Sequence, residues 1–233
     1  MKKKYIFLDI DGTLVTGAAV PESAHEALVR AKNAGHELIL CTGRSLCEIF
    51  PFLLEDFEFD GIISSSGGAV KRGGYECIHA IGENDCAELC GYFDEKQIPY
   101  TVMTGEETYY TFAEYMGSSR APVEQIDYYC GDEETALVAS RFGGRLNVIP
   151  SEITAKGISK ASGILEYISV CKADICDAAA FGDSENDLEM IRCAGVGVAM
   201  GNASDGLKAV ADYVTDDVDR DGLAKAFEAL GLI

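Results

Sequence analysis

The sequence predicts an α/β fold: a doubly wound, Rossmann-like parallel sheet with a small α+β domain inserted into it. Three observations lead there. Short, continuous apolar runs alternate with helix-period segments at both ends of the chain, the pattern of parallel strands joined by crossover helices. The middle of the chain instead carries strand-like runs separated by short turns, with helices between them. Alternation then resumes after Pro150, so one core built from both ends is the simplest account. The boundaries expected are 1–80 and 152–233 for the core and 81–151 for the insert.

In order, Lys4 to Leu8 reads as a buried strand running into Asp9-Ile10-Asp11-Gly12. Pro21 suits the first turn of a helix whose apolar face is Ala24, Ala27, Leu28 and Ala31, ended near Gly35. Glu37 to Cys41 is a second strand, and Ser45 with Glu48 predicts a capping box for the next helix. Ile62-Ile63 is a third strand, and Gly73-Gly74 predicts a hairpin turn. In the insert, Cys86, Leu89, Cys90 and Phe93 fall on one helical stripe. Tyr100 to Met103, Thr108 to Phe112, Ile126 to Cys130 and Leu146 to Ile149 read as strands, with a helix over Asp132 to Arg141. Beyond it, Ala161, Ile164, Leu165 and Ile168 mark a helix, Ala178 to Phe181 a buried strand and Ser184 to Arg192 another helix. Val196 to Met200 is a strand and Leu223 to Leu230 the last helix.

Composition excludes several classes of function. Of 233 residues, 19 are Lys or Arg and 39 are Asp or Glu, a formal charge of -20. Nucleic-acid binding rests on basic surface, so neither nucleic acid nor an anionic membrane is expected as a partner. A phosphorylated substrate must then be held by local positive charge or a metal. The start, Met1 to Leu8, is basic then apolar, but Asp9 and Asp11 end the run too early for a signal peptide. A cytoplasmic location is expected; the oligomeric state is not legible. Nine cysteines without a C-x-x-C pair read as reduced core thiols. Cys86 and Cys90, with His79 nearby, fit no common structural-zinc spacing.

The chemistry gathers at strand ends, where open α/β sheets bind ligands. Asp9 and Asp11 are two apart on one strand and so share a side. Two such carboxylates repel, and a hard cation such as Mg²⁺ resolves the conflict while one of them stays free for general acid work. An ordinary solvated turn is the alternative reading of the motif taken alone. Thr42-Gly43-Arg44 follows the second strand, where a hydroxyl and free amides make an anion site. Gly182-Asp183-Ser184-Glu185-Asn186-Asp187 brings further acidic groups to the same edge, and Ser184 with Asp187 has capping-box spacing. Lys156 and Lys160 flank a helix start, where a lysine is mildly unfavourable unless it has other work.

Together, Asp9-x-Asp11-Gly12-Thr13-Leu14, Thr42-Gly43-Arg44, Lys160 and Gly182-Asp183-x-x-Asn186-Asp187 resemble the four motifs of the haloacid dehalogenase (HAD) superfamily, in order. The insert resembles the class II cap of its Cof-type phosphatases, and the tail from Gly197 to Ala203 is similar to that branch. Two departures are Gly67-Gly68-Ala69 in place of Asn-Gly-Ala, and a short insert. The resemblance implies a Mg²⁺-dependent phosphatase acting on a small phosphorylated metabolite. In it, Asp9 is the nucleophile and Asp11 the general acid and base. Asp9, the backbone carbonyl of Asp11, and Asp183 hold the metal. Thr42, Gly43, Lys160 and Asn186 bind phosphate, while Asp187 and Arg44 support them. A phosphomutase of the same superfamily is the nearest rival. It needs basic residues in the insert, and Lys96, Arg120, Arg141 and Arg145 are a sparse set. A receiver-type phosphoacceptor would need neither the late acidic cluster nor the insert. A catalytically silent binder of phosphometabolites would need neither Asp9 nor Asp11. Lys160→Ala is expected to cost activity with little change in melting temperature.

Overall fold

A computed structural model describes residues 2–17, 19–118 and 121–233. In chain order the elements are β1 (Tyr5–Leu8), α1 (Glu22–Asn33), β2 (Glu37–Cys41), α2 (Pro51–Asp56), β3 (Gly61–Ser64), β4 (Ala69–Arg72) and β5 (Tyr75–Ile78). Then come α3 (Glu83–Lys96), β6 (Tyr100–Met103), β7 (Thr108–Tyr109), α4 (Phe112–Ser118), β8 (Gln125–Tyr128), α5 (Asp132–Phe142), β9 (Leu146–Ile149) and β10 (Glu152–Ala155). The chain closes with α6 (Lys160–Val170), β11 (Ala178–Gly182), α7 (Leu188–Cys193), β12 (Val196–Ala199), α8 (Asp205–Lys208), β13 (Tyr213–Val214) and α9 (Gly222–Ala229).

One sheet has the order β13-β12-β11-β1-β2-β3-β4-β5. Its strands are parallel from β13 to β3, and β4 and β5 are added antiparallel at one edge. β1 sits at the centre because Ile6, Phe7 and Leu8 are wholly buried and need cover on both faces. Ile6 and Leu8 pack with Leu28, Ala31 and Phe227 on the side of α1 and α9. Phe7 packs on the other face with Ile164, Tyr167 and Met190 from α6 and α7.

A second, antiparallel sheet has the order β7-β6-β8-β10-β9 and its own apolar cluster, centred on Phe93, Val102, Ile126, Phe142 and Ile153. β10 belongs to this sheet, pairing Ile153 with Ile126 on one side and Val148 on the other. The second layer therefore continues past the expected boundary at 151. The strand that buries Ile153 and Thr154 comes too close to Pro150 to be separated from the core by composition.

Other elements differ locally. Ser45 caps no helix: Leu46–Glu48 is a single 3₁₀ turn and α2 begins at Pro51. The Ser45 hydroxyl faces Cys47, and Glu48 accepts from the Thr108 hydroxyl. The strand expected to run to Phe112 stops at Tyr109, because Phe112 opens α4. Leu165 is exposed, and Tyr167 takes the buried place on α6. Of the basic residues counted in the insert, Arg120 lies outside the described residues.

Candidate active site

The parallel strands deliver their carboxyl ends to one edge. There the chain leaving β1 turns at Gly12, whose φ of +79° favours glycine, and a Cβ on it would stand 2.2 Å from Asp183 Oδ2. The loop after β11 can thus press directly against the loop after β1. Asn202 ties the two together, donating to the Gly12 carbonyl at 2.8 Å and to Asp183 Oδ2 at 3.3 Å.

Lys160 is the first residue of α6, whose start is fixed by a capping box between Ser159 and Ser162. Its side chain is 1% exposed and lies between two carboxylates, 2.7 Å from Asp9 Oδ1 and 2.6 Å from Asp187 Oδ1. It also donates to Asn186 Oδ1 at 3.3 Å. Burial alone would lower its pKa, but Asp187 and Asp9 outweigh that and hold the ammonium well above its ordinary range. Burial, with Asp187 and Asp183 adding to it, raises the Asp9 carboxyl against the pull of Lys160. Asp183 is pushed up to about 6, by burial first and by Asp187 second.

Asp187 is fully engaged. Its Oδ1 takes Lys160, and its Oδ2 accepts the backbone amides of Asp183 at 2.9 Å and Ser184 at 3.0 Å. The expected pairing of Ser184 with Asp187 is present as a capping box. Asp183 Oδ1, by contrast, is buried with no hydrogen-bond partner. Asp9, Asp183 and Asp187 each offer an oxygen within 4.8 Å of the others. Three converging carboxylates with one orphaned oxygen fit a hard divalent cation, which oxygen ligands suit. Asp187 is already saturated, which leaves Asp9 and Asp183 as the side chains free to take one.

Asp11 stands apart from that cluster. Its carboxylate pairs bidentately with Arg44, Nε to Oδ2 at 2.7 Å and Nη2 to Oδ1 at 2.8 Å. Arg44 is steadied by the Phe50 ring at 4.2 Å and by the Glu48 carbonyl at 3.2 Å. Thr42 is 1% exposed, and its hydroxyl accepts the Arg44 amide at 3.1 Å. Gly43 permits close approach, since a Cβ there would lie 2.9 Å from Glu152 Oε1.

These groups border a cleft of about 710 Å³, the size of a small-metabolite pocket. Asp9, Asp11, Thr42, Gly43, Arg44, Asp183 and Asn186 line one wall, with Lys160 and Asp187 buried directly behind. The other wall is Thr101, Met103, Thr108, Tyr110, Asp127, Tyr129 and Glu152 from the second layer, none of them expected from motifs. Strand alternation could have found part of it: Tyr100, Val102, Ile126 and Tyr128 fill the second core, so Thr101, Met103, Asp127 and Tyr129 face away from it. Asp127 is pushed up to about 7 by burial, with Glu152 and Glu48 adding to the effect. Glu152 also links the walls, accepting Asn186 Nδ2 at 2.7 Å and the Ser66 hydroxyl.

A doubly wound sheet with acidic strand-end loops, a buried lysine and a second layer over them defines a class, and the chain belongs to it: the haloacid dehalogenase-like hydrolases, whose family model matches residues 6–140 and 145–227. Enzymes of that family generally use a divalent metal. Among its relatives, YkrA of Bacillus subtilis (strain 168) is 33% identical across 100% of both chains. The phosphoglycolate phosphatase of Methanoculleus marisnigri is 28% identical, over 96% of this chain and 94% of its own. The solved structure of the HAD subclass IIB sugar phosphatase BT4131 superposes with a TM-score of 0.89 at 29% identity, covering 99% of this chain and 100% of that one. The protein is accordingly an enzyme, a hydrolase of the phosphatase type. Among the described residues, no helix is long and apolar enough to cross a membrane.

Proposed function

We propose that the protein is a Mg²⁺-dependent phosphatase hydrolysing small phosphomonoesters, sugar phosphates or related metabolites, through a phosphoryl group carried on Asp9. The observation that carries the reading is Lys160 held between Asp9 and Asp187, buried directly behind the wall of a metabolite-sized cleft that Asp9 itself lines. In the first step Asp9 forms a bond to phosphorus as the ester oxygen leaves, and Asp11 gives that oxygen its proton. In the second, Asp11 takes a proton from water as the water oxygen displaces Asp9 and frees inorganic phosphate. Lys160, Thr42, the Gly43 amide and Asn186 stabilise the non-bridging oxygens, where charge must be balanced throughout. Asp9, Asp183 and the Asp11 carbonyl would hold Mg²⁺, which supplies charge neutralisation at the phosphoryl group. Asp187 orients Lys160, and Arg44 holds Asp11 until substrate enters.

In this reading residues 1–80 and those after 155 form the catalytic core, and the second layer is the cap that selects the leaving group in a cytoplasmic enzyme. The cap wall presents Asp127 and Glu152 with the hydroxyls of Tyr110 and Tyr129, and no Lys or Arg among its described residues. Lys96, Arg141 and Arg145 are not among the cleft's lining residues; Arg145 instead pairs with Asp85 and Glu88. Such a wall favours hydroxyl-rich, uncharged leaving groups and disfavours the second phosphate that a mutase must hold.

The test is hydrolysis of p-nitrophenyl phosphate and of a panel of sugar phosphates, bisphosphates and carboxylated phosphoesters. Turnover should require added Mg²⁺, vanish in Asp9→Asn, and be greatest on uncharged sugar leaving groups. Full activity after exhaustive chelation, or in Asp9→Asn, overturns the mechanism. A preference for bisphosphates overturns the reading of the cap.

A further inference from the structure

We infer that Cys77, His79 and Glu166 form a second metal site, selective for a Zn²⁺-type cation, at the β5 edge of the large sheet. The inference stands independently of the phosphatase reading. Cys77 and His79 are two apart where β5 ends and so lie on one side of the strand. Glu166 reaches them from α6. His79 Nε2 lies 3.8 Å from Cys77 Sγ and 2.6 Å from Glu166 Oε2, and the three ligand atoms are all within 4.8 Å of one another.

Those separations suit a small tetrahedral ion. Sulfur, nitrogen and oxygen ligands at bond lengths of about 2.0–2.3 Å stand roughly 3.3–3.6 Å apart, so the cysteine–histidine spacing is nearly met. The histidine–glutamate pair need open by less than about 1 Å. Three protein ligands leave the fourth position to water. Thiolate and imidazole together favour Zn²⁺ over the hard cations Mg²⁺ and Ca²⁺.

The ligands are also held. Tyr75 donates its hydroxyl to Glu166 Oε1 at 2.7 Å, fixing the carboxylate so that Oε2 faces the histidine. Side chains of His79 and Glu166 are 29% and 22% exposed, enough for an ion to enter without unfolding. Burial, and the Glu166 charge beside it, keep the Cys77 thiol protonated above its ordinary range. Binding therefore forms the sulfur–metal bond as that proton passes to solvent. The bound ion would clamp the edge strand β5 to α6, the helix that begins with Lys160. Cys86 and Cys90, whose spacing fits no structural-zinc pattern, lie buried in the second core as their helical stripe predicts.

The test is titration of the reduced, metal-free protein with Co²⁺, a spectroscopic stand-in for Zn²⁺. A sulfur-to-cobalt charge-transfer band should saturate at one equivalent, be removed by Zn²⁺ and persist in excess Mg²⁺. Oxygen ligands in the cleft cannot give that band. It should be lost in Cys77→Ser, while Tyr75→Phe should weaken affinity roughly 10–100-fold. Zn²⁺ should also raise the Tm of the wild type but not of His79→Gln. Absence of the band, its survival in Cys77→Ser through the exposed Cys47, Cys130 or Cys176, or an equal Tm rise in His79→Gln overturns the site.

Discussion

Lys160 carries the sharpest expectation at the scale of single residues. A preorganised cation on the phosphoryl group is worth roughly 10²–10³ in rate, so Lys160→Ala should lower kcat by that order. Its removal also strands Asp9 and Asp187, both buried, without their shared counter-charge. This geometry argues against the expectation of little change in melting temperature. Breaking a buried pair costs about 3–5 kcal/mol, so Lys160→Ala should melt markedly lower in metal-free buffer. Lys156 instead reaches the Gly143 carbonyl on the exposed surface, and Lys156→Ala should lose less than about tenfold. Steady-state kinetics and thermal melts on both variants check this, and a more damaging Lys156→Ala refutes it. Asp11→Asn should suppress hydrolysis of alkyl phosphates far more than of p-nitrophenyl phosphate, whose leaving anion hardly needs a proton. Equal losses on both would remove Asp11 from the acid and base role. Asp9, Asp183 and Lys160 are legible in the sequence because each follows a buried strand or opens a helix. Glu152 is not, because only the pairing of β10 with β8 sets it beside Asp127 at the cleft.

Among the elements, β2 opens on a buried charge. Glu37 is held by Lys3 at 2.7 Å, Arg72 at 2.8 Å and the Tyr167 hydroxyl at 3.0 Å. Burial pushes its carboxyl up, but these hydrogen bonds outweigh it and bring it down to about 2. A folded value below the unfolded one means the stabilisation is complete above the ordinary carboxylate range, near pH 4.5, and is lost as pH falls toward about 2. Glu37→Gln should cost about 2 kcal/mol near neutrality, a Tm fall of roughly 4–8 °C, and flatten the acid limb of stability. Melting curves across that pH window check it; an unchanged acid limb would show that Glu37 does not govern it. The strands were legible wherever apolar residues run on without a break, as in β1, β2 and β11. The short helix at Phe112 and the turn after Ser45 were not. There, tertiary bonds such as that from Thr108 to Glu48 override the local capping preference.

For the whole molecule, a formal charge of -20 surrounds a cleft whose positive groups are Arg44 on the wall and Lys160 behind it. A dianionic substrate is repelled at long range and attracted only on arrival. Raising ionic strength from about 0.01 to 0.15 M shortens the screening length from about 30 to 8 Å. At fixed free Mg²⁺, kcat/KM should therefore rise with salt, the reverse of a steered encounter. A fall would mean that the local cations dominate the approach. The architecture also sets an order of events during synthesis. Tyr5 pairs with Ala178 and Leu8 with Phe181, so the central strand, although made first, acquires that neighbour only late. At ribosomal speeds of about 5–20 residues per second, Asp9 waits roughly 10–35 s before Asp183 exists. Meanwhile β6 to β10, whose pairings are nearer in sequence and rest on their own core, can close first. A nascent chain interrupted before α6 would hold a folded second layer and an apolar β1 with one flank open. It would be a client for chaperones, with no means of hydrolysing phosphoesters prematurely.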